Sequence, residues 1–223
     1  YRKIIERDIV QRHDISYKRT FREISMNLIS NPARKIDYNK IKNQFSLGSE
    51  HTVKNYLSYL EESYIIFLVN RFSFKPVEIE KSEKKAYGID TGMITAVSVQ
   101  HGREISQVYE NAVALELLRQ QAVSPETELY YWKSPEQEEV DFVIRQFKKV
   151  TQLIQVCYDL RDEKTKNREV RALLKASREL RCRNLLVITD DTETTKKVSW
   201  FGMKGVIRCM PLWKWLLIKP LQR

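Results

Sequence analysis

Glu138-Glu139-Val140-Asp141-Phe142-Val143-Ile144 and, after a short polar connection, Gln152-Leu153-Ile154-Gln155-Val156-Cys157-Tyr158 decide the reading of this chain. Both are rich in the β-branched and aromatic residues that favour strands. Each carries one metal-competent group among hydrophobics, Asp141 on the first and Gln155 on the second. A carboxylate buried in an apolar strand costs free energy, so it takes a partner or a metal. Adjacent strands can bring two such groups to one spot, which is how a Mg²⁺ centre is assembled. Side chains alternate along a strand, so Gln155 and Cys157 share a face and belong to the same spot. The structural alternative is an ion pair of Asp141 with Arg145 or a nearby lysine.

Outward from these strands the pattern is α/β. Residues 106–121 read as a helix with Val108, Val113, Leu115 and Leu118 apolar and Glu110 and Glu116 among them. Residues 129–132 read as a strand, 165–180 as a helix carrying Val170, Leu173, Leu174 and Leu180, and 185–189 as a buried strand. The order is helix, three strands, helix, strand, followed by a last strand at 206–209 and a terminal helix at 211–218.

The first part of the chain has a different rhythm. Phe21, Ile24, Ser25 and Leu28 form one helical stripe that ends near Asn31-Pro32. Tyr38, Ile41 and Phe45 form a shorter one with Asp37 placed to cap it. After the turn Ser46-Leu47-Gly48-Ser49, Ser49 caps a third helix whose inner face is Val53, Leu57, Leu60 and Tyr64. Helix, tight turn and helix make a helix-turn-helix pattern. Strands at 66–69 and 85–90 then flank a charged loop containing Pro76, where a wing would lie. The outward residues of the third helix, His51, Thr52, Lys54, Asn55, Ser58 and Tyr59, are candidates to reach DNA bases and phosphates. Residues 1–15 are amphipathic and read as the tail of a preceding lid helix, which leaves 16–92 for the winged helix-turn-helix domain and 93–223 for the α/β domain.

Composition narrows the partners. The net charge is +10, with 17 Lys+Arg against 11 Asp+Glu in residues 1–85 and 22 against 18 in the rest, which favours a polyanion such as nucleic acid. No apolar run reaches the roughly 20 residues that cross a bilayer, and no signal peptide opens the chain. Three cysteines at no metal-ligand spacing point to free thiols in a cytoplasmic, reducing compartment. The chain starts mid-pattern without a methionine, as a piece of a longer protein would.

Five stretches, in order, carry a resemblance: Ile4-Ile5-Glu6-Arg7-Asp8-Ile9-Val10, Thr52-Val53-Lys54-Asn55-Tyr56-Leu57, Tyr87-Gly88-Ile89-Asp90-Thr91-Gly92, Tyr109-Glu110-Asn111-Ala112-Val113 and Glu139-Val140-Asp141-Phe142. The chain resembles the C-terminal half of archaeal and bacterial AAA-type P-loop ATPases. In these the ATPase domain precedes a winged helix and a PD-(D/E)XK nuclease-like (restriction-endonuclease-like) domain of unknown function. The resemblance implies an upstream ATPase domain as partner. No G-x-x-x-x-G-K-[ST] occurs, so no ATP site is expected within this chain. It also implies Glu110, Asp141 and Gln155 as catalytic and metal-ligating positions, with Cys157 where the family has lysine. Gln155 offers a carbonyl oxygen without charge, and Cys157 cannot supply the positive charge that offsets a developing phosphate anion. Lys133, Lys164 and Lys166 are near enough in sequence to be substitutes. The expected function is a DNA-associated regulatory or adaptor region with a degenerate nuclease centre. The rivals are a Mg²⁺-dependent deoxyribonuclease and a protein-interaction scaffold with no nucleic-acid role.

Overall fold

The computed structural model describes residues 1–98 and 105–218. A π-helical segment, Ile4–Val10, is followed by α1 (Lys18–Ser30), β1 (Arg34–Lys35), α2 (Tyr38–Gln44), α3 (Glu50–Glu62), β2 (Ile66–Arg71), α4 (Pro76–Lys81), β3 (Lys84–Gly88), α5 (Thr91–Ser98) and α6 (Ile105–Val123). Then come β4 (Thr127–Lys133), β5 (Glu139–Gln146), β6 (Lys149–Val156), α7 (Glu163–Leu180), β7 (Leu185–Thr189), β8 (Thr194–Trp200), β9 (Met203–Pro211) and α8 (Leu212–Leu217). The result is a mixed α+β protein with a large mixed sheet, divided into two compact units.

The first unit is Tyr1–Val69 with Glu83–Asn111. Its core gathers Phe21, Ile24 and Leu28 of α1 with Val53, Tyr56, Leu57 and Leu60 of α3, the apolar stripes that the helical period picks out. Ile5, Ile9 and Val10 are buried in the same cluster, so the N-terminal segment packs with the helices that follow it. Asp37 and Ser49 cap α2 and α3, accepting from the backbone N–H groups of Lys40 and Thr52. Tyr64 departs from its expected inner place. It lies past the end of α3 at φ 52°, and that left-handed backbone turns its ring out to 78% exposure. In this unit β3 lies between β1 and β2, with Arg34 opposite Ala86.

The second unit is Asn70–Ser82 with Ala112–Arg223. The segment expected as a wing loop is thus part of this unit, and it holds a helix, because Pro76 occupies the first helical turn where its missing N–H has no partner to lose. The strand order is β4-β5-β6-β7-β9-β8, with Asn70 and Arg71 running parallel to Tyr130 and Tyr131 of β4. β4, β5 and β6 are an antiparallel meander, whereas β6, β7 and β9 are parallel. The aligned row Leu153–Leu185–Ile207 crosses those three parallel strands. β8 has no counterpart in the sequence reading; its exposed Thr195, Lys196 and Lys197 hide the alternation by which a strand is recognised. α7 covers one face, its Ala172, Leu173, Leu174 and Ala176 packing with Val143, Leu153, Leu185 and Ile207.

Candidate functional site

One step beyond the paired Phe142 and Ile154, the ladder between β5 and β6 is continued by side chains. Asp141 Oδ2 accepts from the backbone N–H of Val156 at 2.9 Å, and Gln155 Oε1 accepts from the N–H of Asp141 at 3.3 Å. Alternation puts both on the face of Val143 and Leu153, under α7. Cys157 joins them there, 5% exposed, its Sγ 3.3 Å from the Asp159 carbonyl. Burial pushes the Cys157 thiol up to about 12, the negative charge of Glu169 adding to the effect, so sulfur stays protonated. The sequence therefore brings Asp141, Gln155 and Cys157 to one spot. That spot holds one carboxylate, one neutral amide and one neutral thiol.

The structure adds a group that the strands alone do not reveal. Glu169 of α7 is 6% exposed, and Arg168 holds it at 2.6 Å. Burial raises its carboxyl; the Arg168 hydrogen bond opposes that, and the nearby charge of Asp141 raises it further. The signal was present in the helical period: Glu169 precedes Ala172, Leu173 and Ala176 on the buried stripe. Glu169 also lines a cavity of about 230 Å³ with Lys166, Arg161, Lys196 and Thr194. Lys166 itself is paired with Glu163 at 2.8 Å. Arg145, a possible partner for Asp141, instead pairs with Glu128 at 2.8 Å. Arg171 and Lys175 of α7 both contact Glu138. Among the described residues no three His, Cys, Asp or Glu side chains are placed to hold a metal ion together.

Glu110 belongs to the first unit. Its Oε1 accepts from Lys85 Nζ at 2.9 Å and from the Tyr87 hydroxyl at 2.8 Å. Next to it, fully buried Asn111 clamps Gly88, accepting from its N–H at 2.8 Å and donating to its carbonyl at 2.9 Å. A Cβ at Gly88 would meet Ile94 Cδ1 at 2.8 Å, so any larger residue there must displace the Ile94 side chain. Lys85, Tyr87 and Gly88 of β3 are thereby fastened to Glu110 and Asn111 of α6.

On α3 the outward residues divide. His51, Lys54 and Ser58 are exposed, while Thr52 and Asn55 are half-buried. Lys54 Nζ lies 5.4 Å from the centroid of the Tyr38 ring, and Asn55 approaches His51 Nδ1 at 3.4 Å. Ser58 donates to Glu62 at 3.0 Å. Tyr59 is not free to reach a partner through its ring face: it is half-buried and stacked on His13, with centroids 3.8 Å apart.

The three cysteines are free and buried, and no helix among the described residues is long and apolar enough to cross a membrane. Residues 1–104 match the model of a domain of unknown function, DUF8612, and residues 106–214 that of another, DUF4143. An uncharacterized protein of Haemophilus influenzae is 22% identical over 161 residues, 70% of this chain and 38% of its own length. An uncharacterized protein of Methanocaldococcus jannaschii is 37% identical over 220 residues; these are 96% of this chain but 48% of that relative, so the chain spans about half of its length.

Proposed function

We propose that this chain is the nucleic-acid-binding, non-cleaving C-terminal region of a larger AAA-type ATPase, with a winged-helix-like first unit and a nuclease-like second unit. The observation that carries the non-cleaving part is the hydrogen bonding of Asp141 and Gln155. The two candidate metal ligands are spent on the backbone of the facing strand, at Val156 and Asp141. The side chains present do not fit a Mg²⁺ centre that cuts phosphodiesters. Asp141 is the one negative oxygen donor of the pair, and protonated Cys157 gives no cation to balance charge on a phosphate. DNA contact is assigned to the outer face of α3, where exposed His51, Lys54 and Ser58 stand beside Asn55. The net charge of +10 supports a polyanionic partner. The upstream ATPase follows from the sequence resemblance and is consistent with a relative about twice as long.

Two titrations test this reading. The chain should bind duplex DNA in a salt-sensitive way, and Lys54→Ala with Asn55→Ala should weaken binding without unfolding the unit, since neither residue is in its core. Incubation with plasmid DNA and millimolar Mg²⁺ or Mn²⁺ should give no cleavage. Robust cutting that disappears in Asp141→Ala would overturn the non-cleaving assignment and restore the deoxyribonuclease. Absence of any DNA binding would leave the protein-interaction scaffold.

A further inference from the structure

The second unit carries a cleft at the other end of α7 from Glu169. It is about 820 Å³ in volume and is lined by Arg178, Arg181, Arg183, Lys204 and Phe201, with no acidic side chain among its lining residues. Arg178, Arg181, Arg183 and Lys204 are exposed, and among the described residues none of them has an ion-pair partner. A single basic residue in the last turn would satisfy the helix dipole. Four cations around one concavity repel one another and await an anion.

Aromatic side chains flank this charge. Phe201 is 90% exposed and Phe147 is 77% exposed. Each opens a two-residue hairpin loop at positive φ, 42° for Phe201 and 54° for Phe147. At Phe201-Gly202 both residues have φ above zero, the geometry of a type I′ turn, where asparagine or aspartate followed by glycine is favoured. A phenylalanine there is strained; its ring meets Trp200 edge-on, with centroids 5.4 Å apart, but otherwise stands in water. Strand register puts the two loops at the same height. Phe147 lies six residues before Leu153 and Phe201 six before Ile207, in the row Leu153–Leu185–Ile207. β6, β7 and β9 stand between β5 and β8, the strands that lead into the two phenylalanines, so these residues are separated by up to four strand spacings, roughly 19 Å. The connection into β7 carries Arg181 and Arg183 into that gap. Lys148 and Lys149 add charge on the Phe147 side, where Glu126 is the acidic neighbour, its carbonyl accepting from Phe147 N–H.

We infer that this end of the second unit, with Phe147 and Phe201 on either side of Arg181 and Arg183, is a binding site for single-stranded nucleic acid. Exposed ring faces stack on unpaired bases, which a duplex keeps inside its own stack, while the cations follow the phosphates. The spacing suits bases several nucleotides apart on an extended strand, with the cations along the phosphates between them. The site is separate from the α3 face and does not depend on it.

The test is fluorescence anisotropy of the full chain with labelled oligo-dT, and with a duplex of equal length, across a salt series. Phe201→Asn suits the turn, so its melting temperature should hold or rise while affinity for oligo-dT falls on the order of tenfold. Arg181→Asn with Arg183→Gln, where asparagine tolerates the φ of 53° at Arg181, should lower affinity and reduce the salt slope for oligo-dT by roughly 1.4. Lys54→Ala should leave oligo-dT binding unchanged even where it weakens duplex binding, so failure of one site is told apart from failure of the other. Unchanged oligo-dT affinity in both cleft variants would overturn the inference. So would a polyglutamate peptide that competes equally well and ignores Phe201→Asn, because the cleft would then be a general acidic-peptide surface.

Discussion

Removing the Asp141 carboxylate separates a structural role from a metal-binding one. In Asp141→Ala the backbone N–H of Val156 loses its 2.9 Å acceptor at a place where the β5–β6 ladder offers no carbonyl. A hydrogen bond to a charged group contributes about 1.5–3 kcal/mol, and an orphaned donor costs a similar amount. For a chain of this size each kcal/mol moves the melting temperature by about 2–4 °C, so the variant should melt roughly 3–12 °C lower. The four tryptophans, Trp132, Trp200, Trp213 and Trp215, all lie in the second unit, so their fluorescence reports the part that contains Asp141. Asp141→Asn keeps an oxygen acceptor and should recover much of the loss. Mg²⁺ should shift none of the melts, whereas a site saturated a hundredfold above its Kd would stabilise the unmodified chain by about 2.7 kcal/mol. An alanine variant as stable as the parent would refute the hydrogen-bond argument. Mg²⁺ stabilisation of the parent that vanishes in Asp141→Ala would show a metal ligand instead.

Restoring charge at the centre, as Gln155→Glu with Cys157→Lys, should produce metal-dependent nicking if the strand geometry suits the chemistry, while the parent stays inert; a plasmid assay reads both. Cys157, Cys182 and Cys209 all have raised thiol values through burial, Cys157 to about 12. An unfolded thiol ionises near 8.5, so the folded state holds more protons above that pH and stability must fall as pH rises from about 8.5 towards 12. Urea melts should show that decline, at up to about 1.4 kcal/mol per pH unit for each thiol, and Cys157→Ala should lessen it; a flat profile would contradict the burial argument. Asn111→Ala should destabilise the first unit by about 2–4 kcal/mol, because it strands both the N–H and the carbonyl of Gly88, and protection of that amide in hydrogen exchange should drop. Gly88→Ala should also destabilise, by about 1–3 kcal/mol, from the contact with Ile94, and a melt unchanged from the parent would show that Ile94 swings clear.

The helices α1, α2 and α3, the strands β5, β6 and β7, and the meeting of Asp141 with Gln155 are legible in the amino-acid sequence alone. Each of these is set by local period: a 3.6-residue stripe places Phe21 beside Ile24 and Leu28, and a two-residue alternation puts Gln155 and Cys157 on one face. Caps at Asp37 and Ser49 are equally local, since each needs only a backbone N–H three residues on. Partners distant in the chain follow instead from long-range packing. Glu110 is named by no local rule as the acceptor for Lys85 and Tyr87, and Asn111 reaches Gly88 across 23 residues. Glu169 comes within electrostatic reach of Asp141 only because α7 packs on the sheet there. The segment at Pro76 left its sequence neighbours because burial of Phe72 against Tyr130 and Trp132 outweighs continuity along the chain. The level placement of Phe147 and Phe201 exists only once β6, β7 and β9 have paired in register, for the same reason: long-range hydrogen bonding and burial, which no local window contains, fix where those loops stand.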